Sequence, residues 1–384
     1  MTPFLVLSLL LSFNINGLEG TKDVDDLEID RQLKMLNKPY IKSIKIEEGD
    51  IFDCVDIYKQ PAFDNPLLKN HKVQMRPSSF PKKMADAISP SDTNPFTFGL
   101  SEACPSGTVP IKRVGKEDLI RAQKFMKNSH QTNDVRVIEN MATARVPSQA
   151  GVEYFGAAAQ LNVQNPQVTN NQYSQAFVQI GNDPDDEENK IRFGWMVNPK
   201  LYGDNATRTF AAWTARSTHG DFCLNTLCPG FVQVSPMFPL GYVLRNISVY
   251  GGQQFIVRCI IFKEHGLGNW WLAHDTFQII VGYWPSTLFT TLKKSASEIR
   301  WGGAAFNDNN ETCPPMGSGH FASEDFRKAA YIRDIQTIDN SSNFNYPDDD
   351  LLQYIPMSPN CYSVEPLEGM DHALLYGGPG GNCN

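Results

Sequence analysis

The residues able to carry out acid–base or metal chemistry are scattered along this sequence. Its seven histidines form no HxH or HExxH pair, so neither a zinc-hydrolase site nor any other metal or cofactor site is expected. Residues 316–320 read MGSGH, which brings a serine near a histidine, but the GxSxG elbow of a serine hydrolase is absent and a turn is predicted. The acidic runs 183–188 and 348–350 lack the ligand spacing of a calcium loop.

One strand-like segment carries a side chain that its pattern does not explain. Residues 191–204 read IRFGWMVNPKLYGD, and large apolar residues alternate with other residue types as far as the Pro-Lys turn. The large apolar set belongs to a core. Arg192 lies on the opposite face with Gly194 and Met196, which are uncharged. The pattern therefore predicts that Arg192 projects into a groove.

The aromatic residues suggest a second candidate surface. All six tryptophans lie between residues 195 and 301. A hydrophobic core accounts for most large aromatics in a β-sandwich, but a concave sheet lined by some of them would hold an extended peptide or a sugar. Both interpretations stay open. The second predicts a cleft lined by Arg192, Trp213, Trp284 and Arg300.

The elements that must position these residues are mainly short strands. Beyond about residue 150, strand-like segments such as RTFAAWTAR and QFIVRCIIFK follow one another with turn residues between them. This pattern predicts an antiparallel sandwich or barrel. A helix is expected after Pro285, because proline favours the first position of a helix.

The first part of the chain has a different pattern. Amphipathic helices are predicted over residues 26–37 and 116–128, with the strand-like segment IFDCVDIY between them, which together make a small α+β unit. The polar residues 129–150, which include Arg136 and Arg145, are predicted to form a linker with a processing site.

Charge and the N-terminal residues indicate a secreted protein. The net charge of −8 argues against general nucleic-acid binding, which needs a basic surface. Residues 4–13 form an apolar run of signal-peptide length that is too short to span a bilayer. No other run approaches membrane-span length, so no membrane association is expected after signal removal. Four sequons would then be glycosylated where exposed: Asn205, Asn246, Asn310 and Asn340.

Export makes the eight cysteines candidates for disulfide bonds. The spacing suggests the pairs Cys54–Cys104, Cys223–Cys228 and Cys361–Cys383. By elimination Cys259 and Cys313 would form a fourth pair. Cys259 lies in an apolar strand, however, and a free buried thiol is the alternative there.

Long segments of the chain resemble the neprosin family of secreted plant proteins, whose named member is a proline-directed glutamic endopeptidase. The first half includes CPSGTVPIKR and a segment running from EIDRQLKML to QMRPSS, both similar to the family's activation-peptide region. The second half includes GWMVNPKLYGDNATRTFAAWT, CLNTLCPGFVQ, HGLGNWWL, VGYWPSTLF, MGSGHF and YGGPGGN. The resemblance implies a mainly β fold, with an antiparallel two-sheet β-sandwich preceded by a small α+β pro-domain. The expected divisions are a signal peptide at 1–20, a pro-domain at 25–140 and the sandwich at 150–384.

The resemblance also implies peptide hydrolysis by two glutamates that face each other across a cleft. One carboxylate would activate water, and the other, protonated, would polarise the scissile carbonyl. At the two matching positions this sequence has Arg192, three residues before the tryptophan of the GW motif, and Ala304, after the Gly-Gly pair. Arginine cannot serve as a base, and alanine has no proton to donate. Glu187, Glu188 and Glu298 could replace the pair only through a register shift.

These observations predict a secreted, monomeric neprosin-like protein that keeps the cleft but has lost the peptidase pair. Its ligand would be an extended, proline-containing peptide or a cell-wall component, and Arg192 would favour acidic ligands. Two alternatives stay open. One is an acid-active prolyl endopeptidase that uses other carboxylates, and the other is a lectin-like carbohydrate-binding protein suggested by the aromatic strands.

Overall fold

Two mainly antiparallel β-sheets packed face to face form most of this computed structural model. The described residues are 19–82, 93–95, 99–128, 139–182, 189–215, 222–274, 279–307, 311–370 and 372–383. Most of the predicted signal peptide lies outside these ranges, as do Arg136, Glu187, Glu188 and Asn310. No helix within them combines the length and apolarity needed to cross a bilayer.

Along the chain, a helix is followed by four short strands and a second helix, and the later elements are mainly strands. The helices are α1 (Glu19–Leu36), α2 (Lys116–Asn128) and α3 (Pro199–Tyr202). The first ten strands are β1 (Tyr40–Lys45), β2 (Ile51–Asp56), β3 (Thr93–Pro95), β4 (Thr108–Lys112), β5 (Asn140–Val146), β6 (Gly156–Asn162), β7 (Gln172–Gly181), β8 (Lys190–Val197), β9 (Arg208–Thr214) and β10 (Phe222–Leu224). The others are β11 (Val232–Gln233), β12 (Gln254–Lys263), β13 (Trp270–His274), β14 (Ile279–Trp284), β15 (Glu298–Asn307), β16 (Ala330–Ile338), β17 (Phe344–Asn345), β18 (Gln353–Pro356), β19 (Ser363–Pro366) and β20 (Leu374–Gly377).

The strands of the sandwich divide between a seven-stranded and a ten-stranded sheet. The seven-stranded sheet has the order β10-β9-β8-β7-β15-β5-β18. The ten-stranded sheet runs β11-β14-β13-β12-β6-β16-β20-β19, with β17 beside β16 and β3 beside β12. A separate small sheet, β1-β2-β4, belongs with α1 and α2 to the described residues 19–82, 93–95 and 99–128, here called the N-terminal region. The predicted mainly β sandwich preceded by a small α+β region is therefore confirmed.

The core lies between the two large sheets and contains five of the six tryptophans. Trp213 and Trp284, with 1% and 0% exposure, meet edge to face inside it at a ring distance of 6.1 Å. They do not line a cleft, and this part of the site prediction is corrected. Their strands place them on the inner faces, where burial of large apolar rings stabilises the sandwich most.

Six cysteines pair as the spacing predicts, in the bridges Cys54–Cys104, Cys223–Cys228 and Cys361–Cys383. The fourth bridge is wrong, because Cys259 and Cys313 are both free and buried. Cys259 lies within β12 opposite Ala159, whereas the backbone of Cys313 pairs with Gly381 near the end of the chain. The free buried thiol was the correct alternative for Cys259, and its burial raises the pKa of that thiol.

The predicted linker 129–150 is also wrong over its second part. Residues 140–146 form β5, an inner strand of the seven-stranded sheet with β15 on one side and β18 on the other. Met141, Thr143 and Arg145 alternate there with small apolar residues. This is a normal strand alternation, but the buried members are too small to stand out in the sequence.

The helix predicted after Pro285 is only a short 3-10 turn over Ser286–Leu288. Phe289 is already extended, and Leu288, Phe289 and Leu292 are all buried in the core. Tertiary packing of these three apolar side chains replaces the continuous helix that the proline suggested.

Candidate functional site

The candidate site is the outer face of the seven-stranded sheet, the face that points away from the core. Register places five polar residues directly opposite one another across five adjacent strands: Arg192, Gln179, Arg300, Arg145 and Gln353. We call this set the arginine row. Because residues in register share a face, three guanidinium groups are aligned on one surface.

Two of these guanidinium groups share one carboxylate. Glu298 accepts from Nε of Arg300 at 2.5 Å through Oε1 and from Nη1 of Arg145 at 3.3 Å through Oε2. The Nε of Arg145 donates to Gln353 at 2.9 Å. The side chains of Arg145 and Arg300 remain 29% and 23% exposed. Two cations with one shared anion leave a net positive charge and spare N–H donors, which is the chemistry that recognises carboxylates.

Arg192 is held more tightly than the sequence suggested. Its Nη1 donates to both carboxylate oxygens of Glu139, at 3.2 and 3.0 Å, and its Nε donates to Gln179 at 3.0 Å. The guanidinium also lies 4.0 Å from the ring centre of Phe177. It lies on the face opposite the large apolar residues, as the alternation predicts, and only 13% of the side chain is exposed.

Glu139 lies just before β5 and has several donors. Besides Arg192, it accepts from the Tyr173 hydroxyl at 3.0 Å and from the Gln175 amide at 2.6 Å. Burial, followed by the charge of Glu139, raises the pKa of Tyr173. A carboxylate with its lone pairs engaged by these donors is poorly placed to take a proton from water.

Ala304 lies on the same face but in a different environment. It is opposite Gln175, is fully buried, and belongs to an apolar cluster with Phe210 and with Ala122 and Phe125 of α2. The ring of Phe125 lies 5.6 Å from that of Tyr173. Helix α2 of the N-terminal region therefore covers this part of the sheet.

Positions 192 and 304 thus share one face on the two strands that flank β7. Arg192 is opposite Gln179 and Ala304 is opposite Gln175, an offset of four residues along β7. Strand spacing and rise then give a separation between their Cα atoms of about 16 Å. Two carboxylates, Glu139 and Glu298, also lie on this face, and arginine side chains bind both of them.

The remaining predicted positions lie away from this face or on the surface. The side chains of Asn205 and Asn340 are exposed and that of Asn246 is partly buried. The MGSGH segment forms the predicted turn, in which His320 bonds Glu324 at 2.9 Å. Among the described residues, no group of three or more His, Cys, Asp or Glu side chains is arranged to hold a metal ion.

Sequence reasoning missed three members of the site: Glu139, Arg145 as a strand residue, and the covering helix α2. The first two fell in the segment interpreted as a linker. Alternation within residues 140–146 would have placed Arg145 on the same side as Met141 and Thr143. The cover by α2 had no local signal, because it depends on contacts between residues far apart in sequence.

Comparisons with known proteins match the two parts of the chain separately. The family described as Neprosin matches residues 170–379, and the one described as Neprosin activation peptide matches residues 43–160. Among solved structures, scytalido-glutamic peptidase with a peptide-based transition state analog is 13% identical, covers 63% of this chain and 98% of its own, and gives a TM-score of 0.35. SCP-B, a member of the Eqolisin family of peptidases in complex with the tripeptide Ala-Ile-His, is 11% identical, with coverage of 62% and 98% and a TM-score of 0.31.

Proposed function

Since the chain belongs to the neprosin family, we propose that this peptidase-like member is a secreted protein that binds an extended acidic peptide without cleaving it. The observation that carries the proposal is the pair of residues at the positions where the resemblance places the catalytic glutamates. Arg192 is a permanent cation there and Ala304 is a buried methyl group. Neither can activate water or protonate a leaving group.

The carboxylates that remain on this face do not restore the missing chemistry. Glutamic-peptidase chemistry as the resemblance implies it needs one carboxylate free to accept a proton and another free to donate one. Glu139 accepts from Arg192, Tyr173 and Gln175, and Glu298 accepts from two arginines. Their oxygens are thus already engaged by donors of the protein itself, which leaves neither carboxylate free for the two roles. The proposal therefore favours binding over hydrolysis.

The ligand class follows from the arginine row. Arg145 and Arg300 are adjacent across strands and partly exposed, with Glu298 as their shared anion. Carboxylate side chains of an extended chain would complete the pairing of both guanidinium groups. A lectin-like function has no comparable support, because all six tryptophans are buried and no indole face is available for a sugar. Export is part of the proposal and is supported by the three disulfides.

Mass spectrometry after incubation with a peptide of alternating glutamate and proline, from pH 2.5 to 7, tests the lack of cleavage. We expect the peptide to stay intact while fluorescence anisotropy shows binding at neutral pH. The matched peptide of alternating glutamine and proline should bind about tenfold more weakly. Cleavage that disappears in the Glu139→Gln or Glu298→Gln variant would show that other carboxylates perform the reaction, and the proposal would then fail.

A further inference from the structure

We infer that the N-terminal region is a permanent part of the folded protein and stays bound to the sandwich after the chain is cut between the two. The family description of an activation peptide implies a removable segment. In this chain the N-terminal region covers apolar surface on both large sheets and completes buried polar groups of the sandwich. The inference rests on this interface and is independent of whether the protein cleaves peptides.

The first contact is the cover that α2 forms on the seven-stranded sheet. Leu119, Ala122 and Phe125 are buried on one side of α2, and the last two join the apolar cluster that contains Ala304. Removal of α2 would expose this cluster to water. A glutamate in place of Ala304 would put a charge beneath α2, whereas the methyl group packs within the apolar cluster.

The second contact is on the outer face of the ten-stranded sheet. Ala62 is buried in a cluster with Trp271 and Tyr283, and Phe63 and Val73 pack against the same cluster. Both Trp271 and Tyr283 are fully buried. The N-terminal region therefore holds the sandwich from both outer faces, and its release would expose two large aromatic side chains at once.

The third contact is a buried carboxylate of the sandwich whose donors come from the N-terminal region. Glu264 is 1% exposed. It accepts from the Gln74 amide at 2.7 Å and from the backbone N–H and hydroxyl of Ser78 at 2.6 and 2.7 Å. Asn269, from the sandwich itself, donates the remaining bond at 3.0 Å. Without the N-terminal region this carboxylate would lose most of its donors and would have to be rehydrated.

Two more buried polar groups are shared in the same way. Gln60 donates to the backbone oxygen of Gln233 at 3.0 Å and accepts from its N–H at 2.7 Å, and both residues are buried. Arg208 on β9 is 1% exposed and forms an ion pair with Asp50 of the N-terminal region. The interface therefore provides hydrogen-bond partners for both backbone and charged groups of the sandwich. Separation of the two parts would leave these groups without partners, a cost that adds to the exposure of apolar surface.

Backbone pairing continues the N-terminal region into the sandwich. Strand β3 pairs in parallel with the first residues of β12, where Thr93 lies opposite Gln254. The family match to the activation peptide also runs on to residue 160, which includes β5 and almost all of β6. Strand β6 is an inner strand of the ten-stranded sheet, between β12 and β16. The matched segment thus cannot leave as a whole while the sandwich stays folded.

Cutting the full chain at one place tests the inference. A recognition sequence for a site-specific protease is inserted between Gln131 and Thr132, and denaturing electrophoresis confirms complete cleavage. Size-exclusion chromatography with light scattering at neutral pH is expected to show both fragments in one peak with the mass of the uncut protein. Elution of the N-terminal fragment on its own would overturn the inference, whatever becomes of the other fragment.

A matched pair of variants of the cut protein tests the assigned contact. Phe125→Asp is expected to release the N-terminal fragment at least tenfold faster, because it places a charge in the buried cluster. Lys124→Asp changes the exposed neighbour on α2 and should leave the rate unchanged. Equal release rates for the two variants would overturn the assignment of α2 as the cover.

A second pair keeps the test informative if Phe125→Asp does not fold when uncut, as judged by near-UV circular dichroism. Ala304→Glu and Ala304→Met change the sandwich side of the same contact, with and without charge. Faster release for Ala304→Glu than for Ala304→Met supports the inference, and equal rates contradict it. Peptide cleavage is not measured in any of these experiments. An active peptidase would therefore leave this inference standing, and fragment release would leave the proposed function standing.

Discussion

Two halves of one sheet surface differ in polarity and in exposure to water. On the outer face of the seven-stranded sheet, position 192 holds an arginine that bonds Glu139, and position 304 holds an alanine beneath α2. The first half is polar and partly exposed. The second half is apolar and closed. The two positions that the resemblance assigns to one catalytic pair therefore lie in different environments.

The difference shows that two positions on one sheet face can be accommodated in two physically distinct ways. At position 192 a new charge is compatible because Glu139 supplies the opposite charge at 3.0 Å. At position 304 the side chain is a buried methyl group that packs in an apolar cluster with residues of α2. Substitutions in the two halves should therefore change the free energy of unfolding by different amounts.

The largest effect is expected for Ala304→Glu. A carboxylate placed in the closed half without a partner should lower the free energy of unfolding by about 3–5 kcal/mol at pH 7. The buried carboxyl would have a raised pKa, so this loss should shrink as the pH falls and the group becomes protonated. Urea unfolding at pH 7 and pH 4 measures both values.

Ala304→Met is the control for size, because it adds a side chain of similar length without charge. Overpacking alone should cost about 1–3 kcal/mol, with no dependence on pH. Equal losses for the glutamate and methionine variants would mean that position 304 is reached by water, and the closed half of the comparison would be wrong.

A smaller effect is expected when the ion pair of the polar half is broken. Arg192→Met should lower the free energy of unfolding by about 3 kcal/mol, because Glu139 stays largely buried and keeps only its neutral donors. Combined with Glu139→Gln in a double-mutant cycle, the two changes should couple by about 2 kcal/mol. Additive losses would show that the charge at 192 does not depend on Glu139.

From the sequence, the structure of the polar half could be predicted in part and that of the closed half hardly at all. Strand alternation correctly assigned Arg192 to the outer face, since period-two patterns with large apolar partners are strong. The partner Glu139 was missed because it lies just before a strand built from small residues. Its contact with Arg192 spans 53 residues of sequence, beyond the reach of any local pattern.

The tryptophans show the opposite limit. Trp213 and Trp284 were assigned both to a core and to a cleft, because either explains large aromatics on strands. Only the packing of the two sheets decides, and it places both rings between them. Similarly, elimination paired Cys259 with Cys313, although no local pattern reports the distance between two strands.

A further prediction concerns the cation at the border of the closed half. Arg208 lies on the same sheet face, opposite Met196, and pairs with Asp50 of the N-terminal region. Burial alone would raise the pKa of Asp50, but the charges of Lys112 and Arg208 together lower it below its usual 3.8. Asp50→Asn should therefore lower the free energy of unfolding by about 2–3 kcal/mol at pH 7.

The sign of the pH dependence follows from the lowered pKa. The stabilising contribution of Asp50 is complete above its unfolded pKa and is lost as the pH falls through the lower folded value. Urea unfolding should thus show the gap between wild type and Asp50→Asn narrowing below about pH 4. Glu365→Gln, at an exposed position, should show little loss at either pH. A gap that stays constant from pH 7 to pH 3 would contradict the charge pairing.

The smallest effect on stability, and the sharpest on binding, is expected for Arg300→Gln. Because the guanidinium is partly exposed and shares Glu298 with Arg145, its loss should change the free energy of unfolding by less than about 1 kcal/mol. Affinity for the glutamate–proline peptide, measured by fluorescence anisotropy, should nevertheless fall about tenfold at low salt. The preference of the wild type for the glutamate peptide over the glutamine peptide should also weaken at high salt.

The control is Lys72→Gln, which removes an exposed cation of the N-terminal region and should change neither the stability nor the affinity. If both variants bind the acidic peptide as the wild type does, Arg300 does not take part in binding. The two halves then differ in burial rather than in ligand binding.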